Sequence, residues 1–147
     1  MFLSFLVVTI ALFSFFHQAI ASSVSLRSSA VATTSSVFSL LVTVQFDSVE
    51  HKKQFLEDFK PVAEYVQSSE PDTLSYELLL SDNDPLQAMI LERYKDKENA
   101  YMKVHKSSTP FLAFRPKLQA MQENGYVTIS GNSYLDSGAG FGDRTES

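Results

Sequence analysis

Three side chains that could move protons or stack on a ligand come together in the predicted sheet. Glu92 and Tyr94 alternate onto one face of a strand, and Tyr76 reaches the same face across a hairpin. A buried carboxylate needs hydrogen-bond partners, so Glu92 either has a structural role or orients His105. Tyr76 and Tyr94 could stack on a planar ligand or donate to its oxygen atoms, and packing in the core or at a dimer interface is the alternative.

Composition removes several kinds of site. The 147 residues contain no cysteine, which excludes disulfides, thiolate metal sites and a thiol nucleophile. The three histidines are His17, His51 and His105, too few for a multi-histidine metal site without carboxylates, and no such cluster stands out. We therefore expect no metal. His51 follows the start of the first predicted helix on its polar side and is expected to be exposed to solvent.

The charge of the chain argues against nucleic acid as a partner. All 17 acidic residues lie at or after Asp47, and of the 12 basic residues only Arg27 precedes that point. The body therefore has 11 basic against 17 acidic residues, a net charge of −6. Such a surface gains nothing from approaching phosphate backbones.

The first 36 residues differ from the rest. Residues 1–21 are typical of a signal peptide, because an apolar run too short to span a bilayer precedes Ala19-Ile20-Ala21. An uncleaved anchor through Ile20 is the alternative, since no Lys or Arg precedes the run. Residues 22–36, rich in Ser and Thr, indicate a disordered linker or a plastid transit segment. We expect secretion, or delivery to a plastid through a two-part leader, with no stable membrane association after signal removal.

Hydrophobic periodicity divides residues 37–136 into four strands and two helical regions, followed by a Gly-rich tail over 137–147. Apolar alternation predicts strands over 38–46, 73–81, 88–94 and 126–135, and helical spacing predicts a helix from Val49 to Val66. Pro61 lies within that helix, so we expect a kink or a break near Lys60. Asp96 can cap another helix, and a second helical piece should follow Ser108.

The order β-α-β-β-α-β predicts an α+β, ferredoxin-like fold, in which an antiparallel four-stranded sheet carries its helices on one face. The other face should also hold apolar groups, because both faces of the first two strands contribute leucines. Two such sheets packed face to face would bury those groups and give a twofold homodimer, a dimeric α/β barrel.

Three segments in the expected order resemble the antibiotic-biosynthesis monooxygenase (ABM) family. Pro71 to Tyr76 looks like the family's "pGtl.Y" start of the second strand, with Asp72 in place of the glycine. Leu91 to Asp96 is similar to its "E-x-[WY]-x-D" third strand. The helical motif "A…H-x-x-S-x-x-F-x-x-F" resembles Ala100, His105, Ser108, Phe111 and Phe114, with Pro110 where a second histidine is common. The resemblance covers roughly residues 37–134.

The resemblance implies a dimer with a pocket in each subunit, and a cofactor-independent monooxygenase acting on a small aromatic or quinol compound. His105 and Glu92 would be the catalytic residues. His105 could take a proton from a phenol or hydroquinone, leaving an anion that reacts with oxygen. A structural histidine bonded to Glu92 or to backbone is the alternative. The candidate substrate-binding residues are Tyr76, Tyr94, Phe111 and Phe114, the two phenylalanines being equally consistent with plain core.

Two other functions are consistent with the same sequence. One is a non-catalytic dimeric α/β-barrel module that binds an apolar small molecule in the same pocket. The other is haem binding with His105 as axial ligand. The family's haem degraders pair their histidine with a tryptophan and an asparagine, and this chain has no tryptophan. Arg93 and Arg115 could meet a ligand carboxylate or lie on a solvated face.

Overall fold

The structure is a computed structural model that describes residues 36–142. The predicted signal peptide (1–21), the predicted linker up to residue 35 and the tail from residue 143 lie outside the described residues, so the interpretations of those segments stay predictions. Within the described part of the chain, no helix is long and apolar enough to cross a membrane.

The described residues form the predicted βαββαβ arrangement. In chain order the elements are β1 (Phe38–Phe46), α1 (Val49–Ser69), β2 (Thr73–Leu80), β3 (Gln87–Tyr94), a π-helix (Lys97–Val104), a 3-10 turn (His105–Ser107), α2 (Thr109–Glu123) and β4 (Val127–Leu135). The strands pair antiparallel in the order β2-β3-β1-β4, with the helices on one face. The ferredoxin-like α+β prediction is confirmed.

The helix α1 runs without interruption through Pro61, so the expected break near Lys60 is wrong, while the alternative, a kink there, stays a prediction. Proline removes one backbone donor and crowds the carbonyl four residues earlier, here that of Glu57. Both Pro61 and Glu57 are exposed, so water can reach that carbonyl. Phe59 and Val62, on either side of the proline, stay buried against the sheet. Packing of the apolar face therefore keeps the helix continuous.

The main core lies between the sheet and the two α-helices. Phe55 is central to it, stacked on Phe59 and edge-on to Phe46 and Phe114. A second, smaller cluster lies where β1 and β3 meet the π-helix, and it contains Phe38, Tyr94 and Ala100. Of the titratable candidates, Tyr94 belongs to this second cluster, whereas Tyr76 packs against the main core.

The face of the sheet opposite the helices carries apolar side chains, as predicted. Leu41 pairs with Leu91 at the centre of this open face, and both are half-buried. Leu79 and Tyr134 are 44% and 50% exposed on its flanking strands. At one end, Arg93 and tail residues 139–142 contribute to a cavity of about 580 Å³. The homodimer that would cover this face stays a prediction.

Two local irregularities shape the region around His105. A register shift in β2 lies between Thr73 and Ser75, so Thr73 rather than Leu74 stands opposite Tyr94. Leu74 is 43% exposed as a result of this β-bulge. The predicted helix after Asp96 has π geometry: the Tyr101 N–H donates to the Asp96 carbonyl, five residues back, at 3.4 Å. Such turns are rare and often occur at functional sites.

Candidate active site

Buried ionisable and aromatic side chains meet on the helix side of the sheet. Glu92 and Tyr94 project there from β3 and Tyr76 from β2, as the strand alternation predicted. His105 comes from the 3-10 turn, and its ring centroid lies 5.2 Å from that of Tyr76 and 5.4 Å from that of Tyr94. The structure therefore brings these four predicted residues together.

His105 is completely buried. The π-helix ends directly before it, and its backbone N–H donates to the carbonyls of Ala100 and Tyr101. Its ring stacks on Tyr101 with centroids 6.3 Å apart and meets Phe111 edge-on at 4.8 Å. One nitrogen, Nε2, is buried and has no hydrogen-bond partner among the described residues.

The other ring nitrogen of His105 is bonded to Glu70. Nδ1 lies 3.1 Å from Oε2 and 3.3 Å from Oε1 of this carboxylate. The predicted structural alternative, a histidine bonded to Glu92 or to backbone, is therefore wrong about the partner. Glu70 follows the end of α1 and is 3% exposed. No local sequence signal marks Glu70, because a glutamate before a proline looks like part of an ordinary helix-to-strand connection.

Glu92 instead bonds Tyr94, whose hydroxyl donates to its Oε2 at 2.7 Å. Burial raises the pKa of Glu92 to about 7, the Tyr94 hydrogen bond opposes this, and the nearby charge of Glu70 raises it further. The pKa of Tyr94 is also raised, by burial and by Glu92. Burial also raises the pKa of Tyr76. Glu92 can therefore gain or lose a proton near neutral pH while Tyr76 and Tyr94 stay protonated.

Burial lowers the pKa of His105, and Glu70 only partly offsets this. A neutral imidazole beside a carboxylate places its proton on the nitrogen that faces the acceptor. The pKa of Tyr101 is raised to about 12, mainly by burial. The arrangement can thus present a neutral base surrounded by protonated phenols.

The two phenylalanines of the helical motif lie in different surroundings. Phe111 contacts the His105 ring, whereas Phe114 packs edge-on to Phe55 and Phe59 in the main core. Geometry therefore groups Phe111 with the candidate site and Phe114 with the core. A role for either residue in binding stays a prediction.

The remaining candidates lie elsewhere. Arg93 is on the open face, while Arg115 is half-buried near Tyr101, and burial lowers its pKa. His51 is not freely exposed as expected: its ring stacks on Tyr126 with centroids 3.7 Å apart, and Nδ1 lies 2.6 Å from Asp47 Oδ1. His51 belongs to the start of α1, not to the buried cluster.

A groove between α1 and β2 borders the buried cluster. It has a volume of about 620 Å³, within the range of small-molecule sites. Glu70 and Tyr76 line the groove and also belong to the cluster. Among residues 36–142, no three His, Asp or Glu side chains are grouped so that they could hold a metal ion.

Comparisons with known proteins agree with this architecture. A candidate antibiotic biosynthesis monooxygenase from Caulobacter crescentus has a TM-score of 0.54 and 22% identity, over 70% of this chain and 93% of that one. One from Nitrosomonas europaea has a TM-score of 0.57 and 19% identity, over 70% and 92%. SnoaB, a cofactor-independent oxygenase from Streptomyces nogalater, has a TM-score of 0.53 and 13% identity, over 76% and 97%. At these identities the likeness is one of fold.

Two comparisons use the sequence alone. Among the curated proteins, none matches the chain. The profile of the antibiotic biosynthesis monooxygenase family matches residues 41–117, which is more than half of the chain and includes Glu92, Tyr94 and His105. The chain belongs to the antibiotic biosynthesis monooxygenase family.

Proposed function

We propose that the protein is a cofactor-independent monooxygenase of small aromatic or quinol compounds, with His105 as the general base. This proposal rests on one observation: Nε2 of His105 is a buried acceptor that has no hydrogen-bond partner among the described residues. Buried polar atoms normally find a partner, so an unpaired one among aromatic rings is suited to a ligand that brings its own donor. Family membership and the fold shared with SnoaB support the same reaction class.

The chemistry follows from the neutral state of His105. A phenol or hydroquinone whose hydroxyl lies at Nε2 can transfer its proton there, which leaves an electron-rich anion. That anion can pass electrons directly to oxygen. In a monooxygenation the substrate then supplies all the electrons, one oxygen atom enters the product and the other leaves as water.

The groove between α1 and β2 is the route by which we propose that a substrate reaches His105. Tyr76 lines the groove, its ring centroid lies 5.2 Å from that of His105, and it stacks on Phe59 with centroids 5.3 Å apart. A tyrosine at this point can rotate aside without breaking a backbone hydrogen bond. Its ring would then lie against a planar ligand.

We also propose that the protein is a homodimer formed through the open face, because Leu41, Leu79 and Leu91 would otherwise leave a contiguous apolar surface in water. A non-catalytic binding module is the second candidate function. It is favoured by the groove between α1 and β2, which offers a ligand a volume of about 620 Å³ outside the fully buried His105 and Tyr94. Haem ligation by His105 has less support, since a haem would have to displace several packed rings.

The test is oxygen consumption with a panel of hydroquinones and hydroxylated polycyclic aromatics, with product analysis under ¹⁸O₂. We expect one labelled atom per product molecule and loss of turnover in His105→Gln. The matched control is His51→Gln, which alters a histidine outside the buried cluster and should turn over normally. Binding of the same compounds without oxygen consumption would reject the oxygenase in favour of the binding module.

A further inference from the structure

Thr73 hydrogen-bonds both the carboxylate and the backbone carbonyl of Glu70, the residue that pairs with His105. The Thr73 hydroxyl donates to Glu70 Oε2 at 3.0 Å, and the Thr73 backbone N–H donates to the Glu70 carbonyl at 3.0 Å. The bulge in β2 is what places Thr73 opposite Tyr94, on the side where its hydroxyl reaches this carboxylate. Glu70 is therefore held in place by one side-chain and one backbone hydrogen bond from Thr73, in addition to its bond to His105.

Glu70 contacts Nδ1 of the imidazole, and this determines which ring nitrogen carries the proton and which carries the lone pair. A carboxylate accepts hydrogen bonds and cannot donate them, so Nδ1 must carry the proton in the pair with Glu70. The lone pair of the neutral ring then lies on Nε2, the atom that no described residue pairs. The rings of Tyr76, Tyr94 and Phe111 lie around the imidazole, with centroids 4.8 to 5.4 Å from its own.

We propose that Glu70 is the positioning residue of this site: it fixes His105 as the Nδ1–H tautomer, so that Nε2 selects aromatic ligands that carry a hydroxyl donor. This inference rests on the proposed function and deepens it. It names the substrate class by one requirement, an O–H on an aromatic ring, because only a donor satisfies the buried acceptor. An O-methylated analogue of equal shape leaves Nε2 unpaired and places a methyl group against it. A site built to bond a hydroxyl discriminates strongly against such analogues.

The first test reads the tautomer itself and does not depend on turnover. Long-range ¹H–¹⁵N correlation spectra of the full chain distinguish Nδ1–H from Nε2–H in His105. We expect Nδ1–H in the wild type and in Glu64→Gln, a control that removes a carboxylate from the same groove without touching the pair. In Glu70→Gln the preference should be lost, because the amide can donate to Nδ1 as well as accept from it.

A second variant keeps the test decisive should Glu70→Gln fold poorly. Thr73→Val leaves the charge of Glu70 in place and removes one bond that holds it. We expect a measurable Nε2–H population in Thr73→Val, smaller than in Glu70→Gln. Nε2–H in the wild type, or an unchanged tautomer in every one of these variants that folds, overturns the proposal.

Activity and binding supply the second readout. With a hydroquinone that turns over, Glu70→Gln should lower kcat at least about tenfold with a smaller change in KM, since a histidine in the wrong tautomer is a poor base. The dimethyl ether of the same hydroquinone has no hydroxyl donor and should bind at least about tenfold more weakly than the parent compound, whereas the monomethyl ether keeps one O–H and should lose much less affinity. Equal binding of the dimethyl ether and the parent overturns the selection of a hydroxyl donor. If the tautomer depends on Glu70 but no compound consumes oxygen, the positioning role stands and the oxygenase is rejected.

Discussion

The Tyr94 hydroxyl donates to Glu92 at 2.7 Å, although the two residues are only two positions apart on β3 and both are buried. Alternation along the strand puts both side chains on the helix side, and Tyr94 then supplies the bond that a buried carboxyl group requires. One bond does not replace full hydration, so the pKa of Glu92 stays raised, at about 7. The pair is therefore a proton-exchanging group beside His105.

The first prediction concerns the pH dependence of stability. A carboxyl group whose pKa rises from 4.5 to about 7 on folding binds its proton more tightly in the native state. The free energy of unfolding must then fall between these pH values, by an amount on the order of 3 kcal/mol at about 1.4 kcal/mol per pKa unit. Glu92→Gln keeps an acceptor for Tyr94 and cannot titrate. We expect the difference in unfolding free energy, wild type minus variant, to decline from pH 4.5 to 7.

The titration of His105 changes the free energy of unfolding in the opposite direction over part of this pH range. Its pKa is lowered in the native state, so the unfolded chain binds more protons below its ordinary pKa, and stability rises as pH increases towards that value. The total profile of the wild type can therefore look flat. For that reason the measurement is a difference curve from urea unfolding at several pH values. A constant difference between wild type and Glu92→Gln would contradict the raised pKa.

The sequence was sufficient for the element order, because alternation and helical spacing are local patterns that each element repeats over its whole length. It also placed Glu92, Tyr94 and Tyr76 on one face, since a two-residue period and one hairpin determine that. It did not lead to Glu70, whose pairing with His105 joins positions 35 apart and depends on a bulge. The expected break near Lys60 is wrong because packing of the apolar face of α1 outweighs the local tendency of Pro61 to interrupt a helix.

The second prediction concerns the open face. Leu91 lies at its centre, paired with Leu41 on β1 and Glu77 on β2. Leu91→Asp should give a folded monomer, because a buried, unpaired carboxylate at the dimer interface is strongly unfavourable. Light scattering at micromolar concentration should give a dimer for wild type. The matched control is Leu112→Asp, at a residue 57% exposed on α2, and it should stay dimeric.

A monomeric wild type would rule out the dimer, and a dimeric Leu91→Asp variant would place the interface elsewhere.

The third prediction separates Phe111 from Phe114. Phe114→Leu removes ring contacts with Phe55 and Phe59 and should lower stability by about 1–3 kcal/mol, with ligand affinity unchanged. Phe111→Leu removes the edge contact with His105 and should weaken ligand binding roughly two- to tenfold, the range expected for one aromatic pair. Calorimetry of both variants measures both quantities. Similar losses of affinity in the two variants would show that Phe114 also contributes to the site.

The fourth prediction distinguishes a general base from a structural histidine at position 105. His105→Ala and His105→Gln both lack the imidazole, and each should lower turnover about a hundredfold or more if Nε2 accepts the substrate proton. Their stabilities should differ. Ala leaves the buried Glu70 carboxylate without its His105 partner, whereas the Gln amide can still donate to it.

Thermal unfolding should therefore give a lower Tm for the Ala variant than for the Gln variant, with both variants dimeric by light scattering. Turnover then reports on Nε2, the nitrogen that accepts the substrate proton. Stability reports on Nδ1, the nitrogen bonded to Glu70. Recovery of turnover in Gln, in step with its stability, would mean that His105 acts only through Nδ1 as a structural group. Equal turnover in wild type and both variants would leave the binding module as the function, because proton abstraction could not then depend on His105.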